Sequence, residues 1–296
     1  MFVDYTLSIS FQGGEYMGSQ LPISVDLRIT GRCNLKCMYC FGASNEAKEL
    51  DLNMWIKILD LLHQNQVQYV VITGGEPTLY PDLLILLKYA KKIGFKIVLS
   101  SNGLNNDLLR YCKYVDVLSL PLDGDNYLHC KSLRGMSYNQ YLQLLNNIML
   151  FKKTYPEKRL KIGTVVTQIN ISYINNIYRI IRNYADIWKL YQVSEHPRNV
   201  NIYKSKLAVS DEDFDTLVNY IKSQVSNNMN VISYSNYNRS GKYLFCEPNG
   251  DAMVIFNGAE TIIGNFFTGF DSVLNKWYKY VNYGLLEQNI IETYFY

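Results

Sequence analysis

Histidine is scarce in this chain. Three occur in 296 residues, His63, His129 and His196, and they share no spacing, which excludes a histidine-built metal site and favours none of them as a base. Charge is thin as well: Asp, Glu, Lys and Arg make up 19% of the residues, and the formal net charge is +3. That balance is too small for a nucleic-acid stripe, and no apolar run is long enough to span a bilayer, so direct binding to nucleic acid or membrane is not expected. Residues 1–10 lack the basic start and long apolar core of a secretory signal. The cysteines, six in all with three in one short run, are too few and too clustered for a disulfide framework. Together these absences point to a cytoplasmic protein in a reducing compartment. No linker or low-complexity stretch divides the chain, which is long enough to bury one large α/β core with a small appendage.

The run that stands out is C-x3-C-x2-C: Cys33, Cys37 and Cys40, with an apolar strand-like segment in front and Phe41 behind. Three thiolates on one short loop suit a site-differentiated iron–sulfur cluster, in which three irons take protein sulfur and the fourth takes another ligand. The alternative is a zinc knuckle. Structural zinc closes with four ligands, usually in two separated pairs, and no second C-x2-C or H-x3-H follows. Cys112, Cys130 and Cys246 stand alone in sequence and read as buried or incidental thiols.

Apolar, β-branched runs alternate with segments of helical period, the pattern of βα units on a parallel sheet. Strands are expected at 24–30, 69–73, 96–100, 115–120, 160–167 and 187–193, and helices at 52–65, 81–93, 106–111, 137–153 and 172–185. Six units fall short of the eight that close a barrel, so the expected fold is α/β, a partial (β/α)6 TIM-like barrel over residues 1–193. Beyond it the texture changes at Glu195, His196, Pro197 and Arg198. A helix over 211–226 and short strands at 231–234, 243–246 and 252–256 are read as a small α+β cap over 194–296. In parallel-sheet enzymes ligands sit at the carboxyl ends of the strands. There the cysteine loop meets Gly74-Gly75-Glu76-Pro77 after strand two and Ser101-Asn102-Gly103 after strand three.

The cysteine spacing, with the aromatic Tyr39 before the third cysteine, and the GGEP segment in that order resemble the radical S-adenosylmethionine (SAM) superfamily. The resemblance implies a [4Fe–4S] cluster on Cys33, Cys37 and Cys40 and reductive cleavage of SAM to a 5′-deoxyadenosyl radical that takes hydrogen from a substrate. It implies SAM contacts at Gly74, Gly75, Glu76 and Pro77, and at Ser100, Ser101 and Asn102, with Gln192 a further candidate. Tyr39 and Phe41 are expected to pack on the cluster or the adenine. A low-potential electron donor of the flavodoxin or ferredoxin type is the implied partner. Glycines 74 and 75 are read as letting backbone approach the methionine moiety, since neither carries a Cβ.

For the substrate, Asp26 and Arg28 share a face of strand one, and a charged pair in an apolar strand is either paired or used. Asp26, Arg28 and Arg134 are the candidate substrate contacts, Arg28 and Arg134 foremost, with a structural ion pair the alternative for Asp26 and Arg28. The segments around Trp188, Asp211 and Tyr243 are similar to viperin-like enzymes, which act on nucleoside triphosphates; there Arg134, Lys161 and Lys189 match nucleotide-gripping positions. The chain departs from them at Asp26, Arg28, Gly42, Tyr69 and Val71. That leaves an anionic, nucleotide-like small molecule ahead of a ribosomally made peptide, and a non-catalytic iron–sulfur protein as the other class. No peptide-binding leader domain is recognisable in the stretch ahead of strand one, so none is expected there. Replacing Cys33, Cys37 and Cys40 together with Ala should abolish both cluster uptake and 5′-deoxyadenosine release; release that survives the triple substitution would show that the loop is not the cradle.

Overall fold

The computed structural model describes residues 24–43, 48–196, 199–226, 228–239, 241, 243–256 and 258–280. The stretch ahead of strand one, the Pro197-Arg198 break and the last residues of the expected cap lie outside the described residues. Seven strands run parallel in sequence order: β1 Ser24–Arg28, β2 Tyr69–Thr73, β3 Lys96–Ser100, β4 Val117–Pro121, β5 Arg159–Val166, β6 Ile187–Gln192 and β7 Asn230–Tyr234. Three more flank β1: β8 Phe245–Cys246 parallel to it, then β9 Asp251–Phe256 and β10 Ala259–Asn265, each antiparallel to its neighbour. The order is β10-β9-β8-β1-β2-β3-β4-β5-β6-β7. Among the described residues no pairing joins β7 to β10, so the barrel stays partial.

Helices α1 Leu52–Gln64, α2 Leu83–Lys92, α3 Leu108–Cys112, α4 Tyr127–Arg134, α5 Tyr138–Thr154, α6 Ile174–Ile181, α7 Val200–Ile202, α8 Asp211–Gln224, α9 Asn236–Arg239 and α10 Phe270–Trp277 connect or follow the strands. α1 buries Trp55, Ile58, Leu59 and Leu62, one face at helical spacing, and Asp51 caps it by accepting from Met54 N–H. Ser137 and Gln140 form a capping box at the start of α5. These faces pack on the outward side chains of the strands, such as Val25, Leu27, Ile72, Leu99 and Trp188. A separate small cluster of Val71, Val98 and Val117 fills part of the barrel interior.

Two elements differ from the sequence reading. The strand at 231–234, counted with the cap, is the seventh barrel strand, because α8 supplies the crossover that returns the chain parallel to β6. α4 was not expected as a helix. It is only eight residues long and mostly polar, held by Asn126 accepting from His129 N–H at one end and by Gly135 in the left-handed region, φ 69°, at the other. Among the described residues no helix is long and apolar enough to cross a membrane.

One device recurs at the amino ends of the strands. Asp116, before β4, accepts from Ile97 N–H at 2.8 Å and from Lys91; Asp186, before β6, accepts from Leu160 N–H at 2.7 Å and from Lys152. Each carboxylate thereby satisfies the first free N–H of the preceding strand and ties it to a helix. An open, polar surface hollow of about 550 Å³ lies at this same end, along residues 156–159, 186 and 228–230. Asp186→Ala leaves the Leu160 N–H without its acceptor and the Lys152 ammonium with only the Pro156 and Lys158 carbonyls, and should lower stability by about 1–3 kcal/mol in chemical denaturation while leaving cluster uptake unchanged.

Candidate active site

The cysteine loop is fastened to the loop after β2 by backbone. Gly75 N–H donates to Thr30 O and Glu76 N–H to Arg32 O, both at 2.7 Å, extending the β1–β2 pairing beyond the strands. A Cβ on Gly74, whose φ is +137°, would lie 2.3 Å from Thr30 O, and one on Gly75 would lie 2.3 Å from Arg32 O. The glycines are therefore required by the cysteine loop itself. Both also line the cavity described below, where their backbone stays open to a ligand.

Glu76 is the polar centre of this junction, 1% exposed. Its Oε1 accepts from Thr78 N–H at 3.1 Å, Thr78 Oγ1 at 2.6 Å and Ser101 Oγ at 2.9 Å; its Oε2 accepts from Asn102 N–H at 2.6 Å. Burial raises its pKa against the pull of these donors. Pro77 follows, buried, at the start of a single turn, Pro77–Leu79. The Asn102 side-chain amide reaches Asn34 Oδ1 at 2.6 Å, so one carboxylate and one amide join all three loops at the carboxyl ends of β1, β2 and β3.

Between those loops opens a cavity of about 260 Å³. It is lined by all three cysteines, Tyr39, Phe41, Gly42, Gly74, Gly75, Ser100, Ser101, Asn102, Asp123, Arg134, Gly163, Val165 and Tyr191, among others. The three thiols are half-buried. Cys33 Sγ accepts from Leu35 N–H at 3.5 Å and Cys40 Sγ from Gly42 N–H at 3.4 Å, the kind of backbone donation that steadies a thiolate. Burial pushes the metal-free Cys37 thiol up to about 11, and it donates to Arg134 O at 4.0 Å. Among the described residues no three His, Cys, Asp or Glu side chains are placed to hold a single ion. The donor set suits a thiolate-held cluster larger than one metal. Cys112, Cys130 and Cys246 are wholly buried in α3, α4 and β8, each donating to a nearby carbonyl.

Sequence reasoning gave Asp123 no role. It is 0% exposed; Oδ2 accepts from Tyr39 Oη at 2.6 Å and from Arg134 Nη1 at 2.5 Å, and Oδ1 accepts from Val165 N–H at 2.6 Å. The signal was available, since a single acid follows the apolar run of β4 before a glycine, but it gained meaning only when α4 returned Arg134 to the cavity. Arg134 Nε is buried with no hydrogen-bond partner.

Two candidates fall elsewhere. Arg28 is not among the cavity-lining residues: it donates to Glu247 Oε1 and Phe41 O, both at 2.9 Å, lies 3.5 Å from Glu260 and stacks 4.2 Å over Phe245. These contacts join β1 to the C-terminal strands. Gln192 also faces away from the cavity, its amide bracing Val209 O, Asp211 and Asn236 N–H. In the interior, Lys161 stands two residues before Gly163 and Lys189 two before Tyr191, so by strand alternation both face the side that lines the cavity. They are 3% and 0% exposed. Lys189 Nζ donates to Tyr243 Oη at 3.1 Å and sits 3.8 Å over the Tyr234 ring. Burial raises Asp26 to about 6 against Lys161, Lys189 and Arg28, and lowers Lys161 to about 8.

A family model described as the radical SAM superfamily matches residues 27–181. The chain belongs to this superfamily. Its relatives include an S-adenosylmethionine-dependent nucleotide dehydratase from Selenomonas ruminantium, 30% identical over 67% of this chain and 75% of that protein. Mycofactocin maturase MftC from Mycobacterium tuberculosis is 27% identical over 68% of this chain and 53% of that protein. Among solved structures, Streptococcus suis SuiB bound to its precursor peptide SuiA superposes with a TM-score of 0.69 at 20% identity, over 87% of this chain and 64% of that one. At that identity it bears out the fold, the partial barrel. Like other radical SAM enzymes the protein belongs to a family whose cofactors are SAM and a [4Fe–4S] cluster. Glu76→Gln turns an amide N–H2 donor toward groups that all donate to the carboxylate, and should lower stability by about 1–3 kcal/mol. Because Glu76 joins the three loops, the radical SAM chain should also take up less iron on anaerobic reconstitution; unchanged uptake would show that the junction does not shape the cysteine loop.

Proposed function

We propose that this is a radical SAM enzyme acting on an anionic, nucleotide-like small molecule held in the barrel interior. Cys33, Cys37 and Cys40 hold the cluster and leave one iron open, and the loops at Gly74–Gly75 and Ser100–Asn102 hold SAM. When bound, this pair supplies the 5′-deoxyadenosyl radical, with electrons from a flavodoxin- or ferredoxin-type donor. The protein's part is to ligate, orient and exclude water. Ser100 on β3 and Ser119 on β4 are register partners lining the cavity. Arg134 offers its Nε edge to an anion.

The observation that carries the substrate reading is the pair of buried lysines. Lys161 and Lys189 place two ammonium groups on the interior face, with Asp26 the carboxylate acting on both. Two ammonium groups on one buried face, where charges are weakly screened, would attract an entering anion. The likeness to the nucleotide dehydratase supports the same reading; the likeness to MftC is what a peptide substrate would rest on.

The test is anaerobic turnover of reconstituted enzyme with SAM, offered a panel of nucleoside di- and triphosphates. One of these should raise 5′-deoxyadenosine release and yield a new nucleotide product. Lys161→Met and Lys189→Met should each weaken its use by about 1.5–3 kcal/mol, the worth of a charge-assisted hydrogen bond. Stimulation by a peptide alone would overturn the reading. The pH dependence has a defined sign. Lys161 is charged below about 8, so nucleotide binding should weaken as pH rises through that value, and Lys161→Met should lose that limb.

A further inference from the structure

We infer that Asp123 is a positioning residue for the cluster: it holds the Tyr39 phenol and the Arg134 guanidinium on one carboxylate oxygen and so fixes the charge environment of the cysteine loop. The inference rests on the reading that Cys33, Cys37 and Cys40 carry the cluster.

Three observations support it. First, the network touches the loop at its centre. Tyr39 lies between Cys37 and Cys40, and the end of α4 backs the same segment, with Met38 N–H donating to Leu133 O at 3.0 Å and the Cys37 thiol to Arg134 O. Second, the charges are deep. Asp123 is 0% and Arg134 9% exposed, and solvent screens a buried pair far less than a surface one. Third, Asp123 is itself anchored. Val165 N–H holds Oδ1, and the Asp123 carbonyl accepts from Asn170 Nδ2 at 3.0 Å. The carboxylate is thus a rigid point tied to β5, and Tyr39 and Arg134 take their positions from it. Charge, hydrogen bonding and burial near the sulfurs are the protein's main means of setting a cluster's reduction potential.

The experiment is potentiometric EPR titration of anaerobically reconstituted full-length protein, with iron content measured alongside. Asp123→Asn removes a buried negative charge close to the loop, which favours the reduced cluster. The ratio of reduced to oxidised cluster should rise about tenfold at fixed ambient potential, or about 59 mV for one electron. Asp123→Glu keeps the charge and should return most of that shift. Tyr39→Phe leaves the Asp123–Arg134 pair whole but removes the neutral donor from the carboxylate, so its potential should move the other way. If Asp123→Asn takes up no cluster, Tyr39→Phe decides. A Tyr39→Phe cluster with the parent's potential, or an Asp123→Asn cluster with the parent's potential whatever its stability, overturns the inference. A parent chain that takes up no iron and sulfide would instead remove the cluster reading itself.

Discussion

The close approach of two backbone segments, residues 30–32 against 74–76, is the constraint on which the site depends. It needs two adjacent glycines, because any Cβ at either position would fall inside the carbonyl oxygens of Thr30, Gly31 or Arg32. It also needs an acceptor in the interior, because the N–H of Thr78, in the turn that follows, and the N–H of Asn102, on the loop after β3, both point inward. Glu76 answers both, and adds Ser101 and the Thr78 hydroxyl to the same carboxylate. The result is a cradle fixed by main chain rather than by long side chains, which suits a ligand loop that must hold three sulfurs at set positions.

Buried charge is distributed along the barrel in three groups with different partners. Asp123 and Arg134 pair beside the cysteine loop; Arg28 pairs with Glu247 and Glu260 where β1 meets the C-terminal strands; Asp26, Lys161 and Lys189 form the interior group. The first two are well matched in geometry. In the third, Lys189 sits against the Tyr191 and Tyr234 rings and donates to the Tyr243 hydroxyl. Replacing such a group with apolar side chains is often neutral or stabilising in other proteins, which is why the proposed substrate role of the lysines is tested by turnover and not by stability.

Much of this was legible in the sequence. The parallel strands follow from alternating apolar and helical periods, and the three loops at one mouth follow from their positions after strands one, two and three. What was hidden depended on return paths. α4 is too short and polar to show a period, so the sequence offers Arg134 as a substrate contact without its partner and gives Asp123 no role. Arg28 and Gln192 look free in sequence because their partners, Glu247 and Asn236, lie far along the chain. The seventh strand was assigned to the cap because its crossover helix follows a break in the pattern. In each case the missing information was a long-range contact, which local periodicity does not carry.

The account rests most on three thiolates holding a cluster with one iron left for a ligand that is not protein. Mössbauer spectroscopy of protein reconstituted with 57Fe, recorded with and without SAM, tests this most directly. The account predicts a [4Fe–4S] spectrum in which adding SAM alters one iron subsite and leaves the other three unchanged. A spectrum in which every iron is equivalent and unmoved by SAM, or one that requires a protein fourth ligand, would contradict it.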